Sequence, residues 1–275
     1  GRNVEVVAIR GNFDDAQSAV KRIFTDEDTR AALDKDGMML SSANSINWGR
    51  LAPQIAYYVS AYCDMVAAGT IAQGDKINVC VPTGNFGNIL AAYIAKKMGL
   101  PVNKFICASN RNNVLTDFFK KGGEYNRNRD FFTTTSPSMD ILISSNLERL
   151  LFFASDFSDK LVAELMGKLN TEGSYKVAED VFAKIEAEFD AGCCDDSHAA
   201  DTINKLWKDE NYLCDTHTAV AVRVYEDYRA RTGDETPNVI ASTASPFKFC
   251  RSVIEALGGT LENDDVTQLE VLSQL

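Results

Sequence analysis

KINVCVPTGNFGNIL, residues 76–90, sets an apolar run directly against a turn holding two glycines and two asparagines. KINVCVP reads as a short strand. ILAAYIAKKMG, residues 89–99, has apolar residues at helical spacing and is closed by Gly99 and Pro101 as stop signals. The turn therefore joins a strand to a helix. At such a junction Gly84 and Gly87 let the backbone come close to a ligand, and unpaired N–H groups point outward at the positive end of the helix dipole. That arrangement suits an anion, and a phosphate best. The plainer alternative makes Asn88 an N-cap, with Asn85 and the glycines forming an ordinary turn. No Lys follows Gly87, so this is not the GxxxxGK[ST] nucleotide loop, and GxGxxG is absent too.

At 275 residues the chain can bury a sizeable core, and 45% hydrophobic with 24% charged residues is an ordinary globular balance. A net charge of −11 argues against nucleic acid, whose backbone is bound by basic patches. An anionic small substrate would need local cations and N–H donors against that average field. No apolar run reaches spanning length and no signal peptide opens the chain, so a cytoplasmic protein without membrane or nucleic-acid partners is expected. Of the seven cysteines, Cys80, Cys107 and Cys250 lie in apolar or strand-like runs and Cys63 and Cys214 elsewhere, without CxxC spacing, which suits a reducing compartment. Cys193 and Cys194, with His198 four residues on, lack the regular ligand spacing of a zinc site and read as an acidic loop; no metal is expected.

Strands and helices alternate as in an α/β protein with a parallel sheet. VEVVAI (4–9) reads as a strand, DDAQSAVKRIF (14–24) as a helix, and RLAPQIAYYVSAYCDMVAAG (50–69) as a long helix with Pro53 in its first turn. KFICASN (104–110) is the next strand, NVIASTA (238–244) the last, and Pro246 opens a final helix through FKFCRSVIEALG. Residues 148–232 look mostly helical, as an insertion or flank. A chain opening on a strand reads as part of a larger protein.

Three further segments carry chemistry. SSANSINWGR (41–50) offers Asn44, Ser45 and Asn47 as neutral hydrogen-bonding groups and Arg50 at a helix start, a set that fits a phosphate, or else a capped helix with a surface arginine. NVIASTASPFKFC places Ser242, Thr243 and Ser245 at a strand's C-terminal end, where open α/β sheets bind ligands; a hydroxyl-rich loop is the alternative. SPSMDILISSNLERLLF (136–152) mixes Asp140, Asn146 and Arg149 with apolar residues, as an internal salt bridge shaping a loop or as catalytic groups.

NSINWGRLAPQIAYY, VPTGNFGN, SPSMDI with SSNLERLLF, DTHTAVAV and STASPFKF, in that order, closely resemble threonine synthase of the bacterial and fungal type over nearly the whole chain. The resemblance implies a fold-type II pyridoxal-phosphate enzyme related to tryptophan synthase β: a parallel sheet flanked by helices, here as an incomplete domain pair. Residues 1–45 would be the remainder of a small domain, and 46–275 the large cofactor domain with a helical insertion at about 148–232. The implied reaction converts O-phospho-L-homoserine and water to L-threonine and phosphate. Gly84, Asn85, Phe86, Gly87 and Asn88 would hold the phosphate of pyridoxal 5′-phosphate, Thr243 would hydrogen-bond the pyridine nitrogen, and Asn44, Ser45 and Arg50 would grip the substrate phosphate.

One departure stands against these matches. The family's Schiff-base lysine lies in a phenylalanine-lysine-aspartate segment followed by an SGDTG-like loop, and this sequence has neither. Lys248 in PFKF occupies a different motif, and His217 in DTHTAV reads as helix-start packing rather than a base. No catalytic residue is therefore assigned, and the chain is expected to lack turnover alone, with the missing N-terminal segment of the same enzyme as its partner. The rival readings are a sibling dehydratase or β-replacement synthase, and a non-catalytic half that docks on a partner chain.

Overall fold

The structure, a computed structural model, describes residues 3–11 and 13–275. Helices α1 (Phe13–Thr25), α2 (Glu27–Lys35) and α3 (Trp48–Ala67) come first. Strand β1 (Ile77–Pro82), α4 (Gly87–Lys97), β2 (Val102–Ser109), α5 (Val114–Lys120) and the short β3 (Glu124–Asn126) follow. Then come α6 (Leu147–Ala154), α7 (Asp159–Thr171), β4 (Ser174–Lys176), α8 (Glu179–Glu188), β5 (Phe189–Cys193) and α9 (Asp196–Glu210). The chain ends on α10 (Thr216–Thr232), β6 (Asn238–Ile240), α11 (Cys250–Ala256) and α12 (Asp265–Ser273).

The central sheet has the order β5-β2-β1-β6 and every pairing in it is parallel; β3 and β4 form a separate antiparallel pair. β1 is buried on both faces, which is why, apart from the hydrogen-bonded Asn78, it is apolar throughout rather than alternating. Its pleat divides the core in two. Ile77, Val79 and Val81 pack with Leu51 and Tyr58 of α3 and with Ile89 and Leu90 of α4. Cys80 faces the other way, toward Ala219, Val220 and Val224 of α10. α3 and α4 thus cover one face and α10 the other, with the glycine turn at the C-terminal end of β1, the edge where such sheets bind ligands.

Several sequence expectations shift. VEVVAI at 4–9 forms no strand among the described residues, and Val6 is 94% exposed. A strand exists only where a neighbour takes its N–H and C=O groups, and apolar alternation cannot supply one. Residues 27–35, for which the sequence predicts no element, form α2, capped by Asp26, whose side chain accepts from the Thr29 N–H; with no buried residue, the stretch gives no periodic signal. Pro53 lies inside α3 rather than in its first turn, because the helix starts earlier, at Trp48, after Asn47 accepts from the Gly49 N–H. The 148–232 region is mostly helical but is not an insertion outside the sheet, since its β5 pairs in register with β2 from Phe105↔Phe189 to Ser109↔Cys193. β6 stops at Ile240, and α11 is not the last helix.

Candidate functional site

The turn at 83–88 is built from opposed demands on one residue. Phe86 has φ 63, in the left-handed region that a bulky residue seldom occupies. Its ring is buried in the core, 6.1 Å from Phe119 and 6.0 Å from Phe189, centroid to centroid. Burying a phenylalanine stabilises by about 3–5 kcal/mol judged by truncation, against about 1–3 kcal/mol for a strained backbone, so packing holds the strain in place.

Phe86 occupies the N-cap position and supplies no side-chain cap. The turn's carbonyls are engaged on one side. Ser144 Oγ donates to the Gly84 carbonyl at 2.8 Å, and the Asn146 backbone N–H and side-chain amide donate to the Asn85 carbonyl at 3.1 and 2.8 Å. On the other side, none of the backbone N–H groups of residues 84–89 has a hydrogen-bond partner among the described residues. Consecutive free N–H groups at a helix start are the donor set of a phosphate seat.

The glycines are required for a reason the sequence did not disclose. Neither has positive φ. A Cβ on Gly84 would lie 2.6 Å from the Ser138 carbonyl oxygen, and one on Gly87 would lie 2.7 Å from Ser45 Cβ. The close approach that excludes a side chain is made by the protein's own walls. Asn88 is not the N-cap; its side-chain oxygen accepts from the Tyr58 hydroxyl, whose own proton loss burial strongly disfavours. Asn85 Oδ1 accepts from Ser145 Oγ at 3.2 Å. Both asparagines spend their side-chain oxygens on the protein, which leaves their backbone N–H groups and side-chain amide N–H groups for a ligand.

The wall behind Gly84 is the 134–140 loop. Asp140, expected in a salt bridge or in catalysis, is buried without an ion pair among the described residues and accepts four hydrogen bonds instead. They come from Asn110 and Asn112 side chains at 2.7 and 3.0 Å and from the Thr134 hydroxyl and N–H at 2.7 and 2.9 Å. Such satisfaction is what allows a buried carboxylate. The Ser138 N–H donates to His217 Nε2 at 3.2 Å, and His217 Nδ1 lies 3.1 Å from Asp215 Oδ1. Nε2 accepts there, so Nδ1 carries the proton toward Asp215, a neutral tautomer pinned at both nitrogens. At 2% exposure, with the Phe249 ring tilted against its own at 4.8 Å, His217 packs at a helix start, as the sequence suggested.

Asp215 caps α10, accepting from the N–H groups of His217 and Thr218 at 2.8 and 3.3 Å. Burial pushes its carboxyl up, but the bonds from His217 and Thr218 outweigh burial and leave it below the usual carboxylate value. The Thr218 hydroxyl, which bonds the other Asp215 oxygen, also reaches Ser242 Oγ at 3.3 Å. Thr243 follows at the open end of β6. Cys80 pairs with Ile240, and Thr243 lies three residues beyond that last pair. Its side chain is exposed.

The 44–50 segment lies on the opposite side. Asn44 Oδ1 accepts from the Ile46 N–H at 3.0 Å, and the exposed Arg50 donates to the Ala43 carbonyl. Ser45 meets Gly87, as above. Arg149 donates to the Ile46 carbonyl at 2.7 Å rather than pairing with Asp140. Lys248 is exposed, its ammonium 5.4 Å from the Phe249 ring centroid. The acidic loop expected at 193–198 is instead the end of β5 and the start of α9, capped by Asp195, and burial pushes the Cys194 thiol up to about 12. A 360 Å³ concavity lined by Phe247–Ser252 and Leu269 does not include the turn, so the donors of the turn, rather than an enclosed pocket, define the site.

The structure thus brings Gly84, Asn85, Phe86, Gly87, Asn88 and Ser45 together at one edge of the sheet, while Thr243 lies beyond the last paired residue of β6. Sequence reasoning missed Asp215, although an Asp opening a Thr-rich helix start is an N-cap signal. It also missed how far Asn146 reaches, for which no local signal exists.

Comparison with known proteins shows which proteins the chain is similar to. Residues 218–275 match the family model described as Threonine synthase, C-terminal. The chain is 46% identical over 253 residues to Threonine synthase-like 1 of Homo sapiens, covering 91% of this chain and 34% of that protein. It is 38% identical over 256 residues to a threonine synthase of Pseudomonas aeruginosa, covering 93% and 52%. Among solved structures, the pyridoxal-phosphate-bound threonine synthase of Brucella melitensis superposes with a TM-score of 0.79 at 38% identity, covering 94% of this chain and 53% of that one. The chain spans between a third and about half the length of these relatives.

Proposed function

We infer the function of this chain from its homology to the threonine synthases, a C-terminal portion of which it matches within the fold-type II pyridoxal-phosphate class. In this reading it forms the cofactor-phosphate and substrate-phosphate walls of an enzyme that converts O-phospho-L-homoserine and water to L-threonine and phosphate. The observation that carries it is the row of unpaired N–H groups from 84 to 89 at the uncapped start of α4. The donor set fits pyridoxal 5′-phosphate, with tetrahedral oxygens facing free N–H groups and no carboxylate bonded to the turn.

When bound, this cofactor supplies an electron sink for a carbanion at the substrate's α-carbon. The chain's own residues bind and orient. The N–H groups of 84–88 hold the cofactor phosphate, and Thr243 offers a neutral hydroxyl to the ring nitrogen. Asn44, Ser45 and Arg50 take the substrate phosphate, whose departure as an anion is eased by donors fixed beforehand. The 134–140 loop, pinned by Asp140 and His217, backs Gly84. No lysine of this chain is assigned to the chemistry, and the chain alone is expected to be inactive. The lysine would come from the rest of the full-length protein, located in the cytoplasm.

A second reading draws on the greater identity to proteins named Threonine synthase-like 1 than to threonine synthases. In it the full-length protein keeps the cofactor site but acts on another hydroxylated or phosphorylated amino acid. Assaying the full-length protein with O-phospho-L-homoserine, L-serine and L-threonine separates the two. Phosphate and threonine released together from the first compound support the principal reading, and turnover of only the others overturns it.

A further inference from the structure

Asn146 and Arg149 stand where the two proposed anion seats meet, and the functional reading gives neither a role. Asn146 is the N-cap of α6, yet its side chain makes no cap bond, although asparagine is among the best capping residues. The residue is fully buried, at 0% exposure. Its amide nitrogen instead donates in two directions, to the Asn85 carbonyl at 2.8 Å and to Ser45 Oγ at 3.0 Å. One bond grips the glycine turn and the other grips the 44–50 segment. The amide nitrogen has no lone pair, so Ser45 accepts there and keeps its own hydroxyl proton for another acceptor.

Arg149, one helical turn on, repeats the pattern. Nη2 donates to the Ile46 carbonyl at 2.7 Å, while Nη1 is buried without a partner, as is Asn146 Oδ1. Gly87 is enclosed by the same groups, for a Cβ there would sit 2.7 Å from Ser45 Cβ and 3.6 Å from Asn146 Nδ2. A residue that gives up a local cap to join segments 101 positions apart breaks a local rule where a site requires it.

We propose that Asn146 and Arg149 are positioning residues that lock the 44–47 segment to the glycine turn, so that an anion held by the turn also orders the neighbouring seat. The proposal rests on the functional reading above and adds the mechanical link between its two phosphate seats. A shift that orders Asn85 carries Asn146, and through it Ser45, because the Asn85 carbonyl and Ser45 Oγ share the one Asn146 amide donor. By linkage the coupling is reciprocal, and couplings of this kind run from about fivefold to about 150-fold.

Hydrogen exchange of the chain with and without saturating pyridoxal 5′-phosphate tests it. In the wild type the cofactor is expected to slow exchange at residues 84–89 and, by about fivefold or more, at residues 44–50. In Asn146→Ala, and in Arg149→Gln should the first variant fold poorly, protection at 84–89 persists while protection at 44–50 is lost. Unchanged exchange at 44–50 in the wild type, or full protection there in both variants, overturns the link. Absence of protection at 84–89 in the wild type defeats the cofactor assignment itself, and the link with it.

Discussion

Two helices begin at the C-terminal end of β1, one on each face of the sheet, and they are finished in opposite ways. α10 starts behind a buried Asp215 that accepts from two backbone N–H groups and a hydroxyl. α4 starts behind a strained Phe86 that caps nothing. The first helix satisfies its own donors and serves as a strut for the 134–140 loop through His217. The second leaves its donors free at a buried, glycine-lined bend. A capped terminus is the stable default, and an uncapped one held in place by aromatic packing is what the proposed cofactor-phosphate seat requires.

The largest test of this contrast is removal of the α10 cap. Asp215→Ala strands the N–H groups of His217 and Thr218 together with a ring nitrogen, and is expected to cost about 3 kcal/mol in urea unfolding. A loss well under 1 kcal/mol would erase the distinction between the helices. Next comes Gly84→Ala, whose methyl would lie 2.6 Å from the Ser138 carbonyl. It is expected to destabilise by about 1–3 kcal/mol and to weaken pyridoxal 5′-phosphate binding by at least about tenfold, as read by calorimetry. At α4 itself, Asn88→Ala removes the bond from Tyr58 together with an amide donor and should cost about 1 kcal/mol with cofactor affinity within about twofold, because the backbone N–H remains. A large loss of affinity there would shift the holding role from backbone to side chain.

The smallest effect is a pH dependence. The Asp215 carboxyl is held below its ordinary value of 3.8, so its contribution to stability is present above that pH and fades as pH falls through the lower folded-state value. The melting difference between wild type and Asp215→Asn should therefore shrink between pH 5 and pH 3. A difference that stays constant across that interval would show that Asp215 acts through shape alone.

What the sequence disclosed follows the range of the interactions. β1, α4 and β2 were legible because β1 and β2 are short, mainly apolar runs and α4 has apolar residues at helical spacing closed by Gly99 and Pro101, signals that lie within or beside the element. The turn at 83–88 was legible as glycines at a strand-to-helix junction. α2 was not, since it buries nothing, and neither was β5, a five-residue strand with Asp and Gly set among helices. VEVVAI carries the pattern of a strand, but pairing is decided by a neighbour. At the site the same division holds. Asn85 and Gly87 could be read from the turn, whereas the crowding of Gly84 by Ser138 and the reach of Asn146 to Ser45 join residues far apart in the chain.

The central claim, that free N–H groups at the start of α4 hold the phosphate of pyridoxal 5′-phosphate, is tested most directly by amide NMR of the chain titrated in parallel with pyridoxal 5′-phosphate and with pyridoxal. The account expects the N–H resonances of residues 84–89 to move with the phosphorylated compound, and to stay in place with the other at equal concentration. Equal shifts with both compounds, or shifts confined to residues outside 84–89, would contradict it.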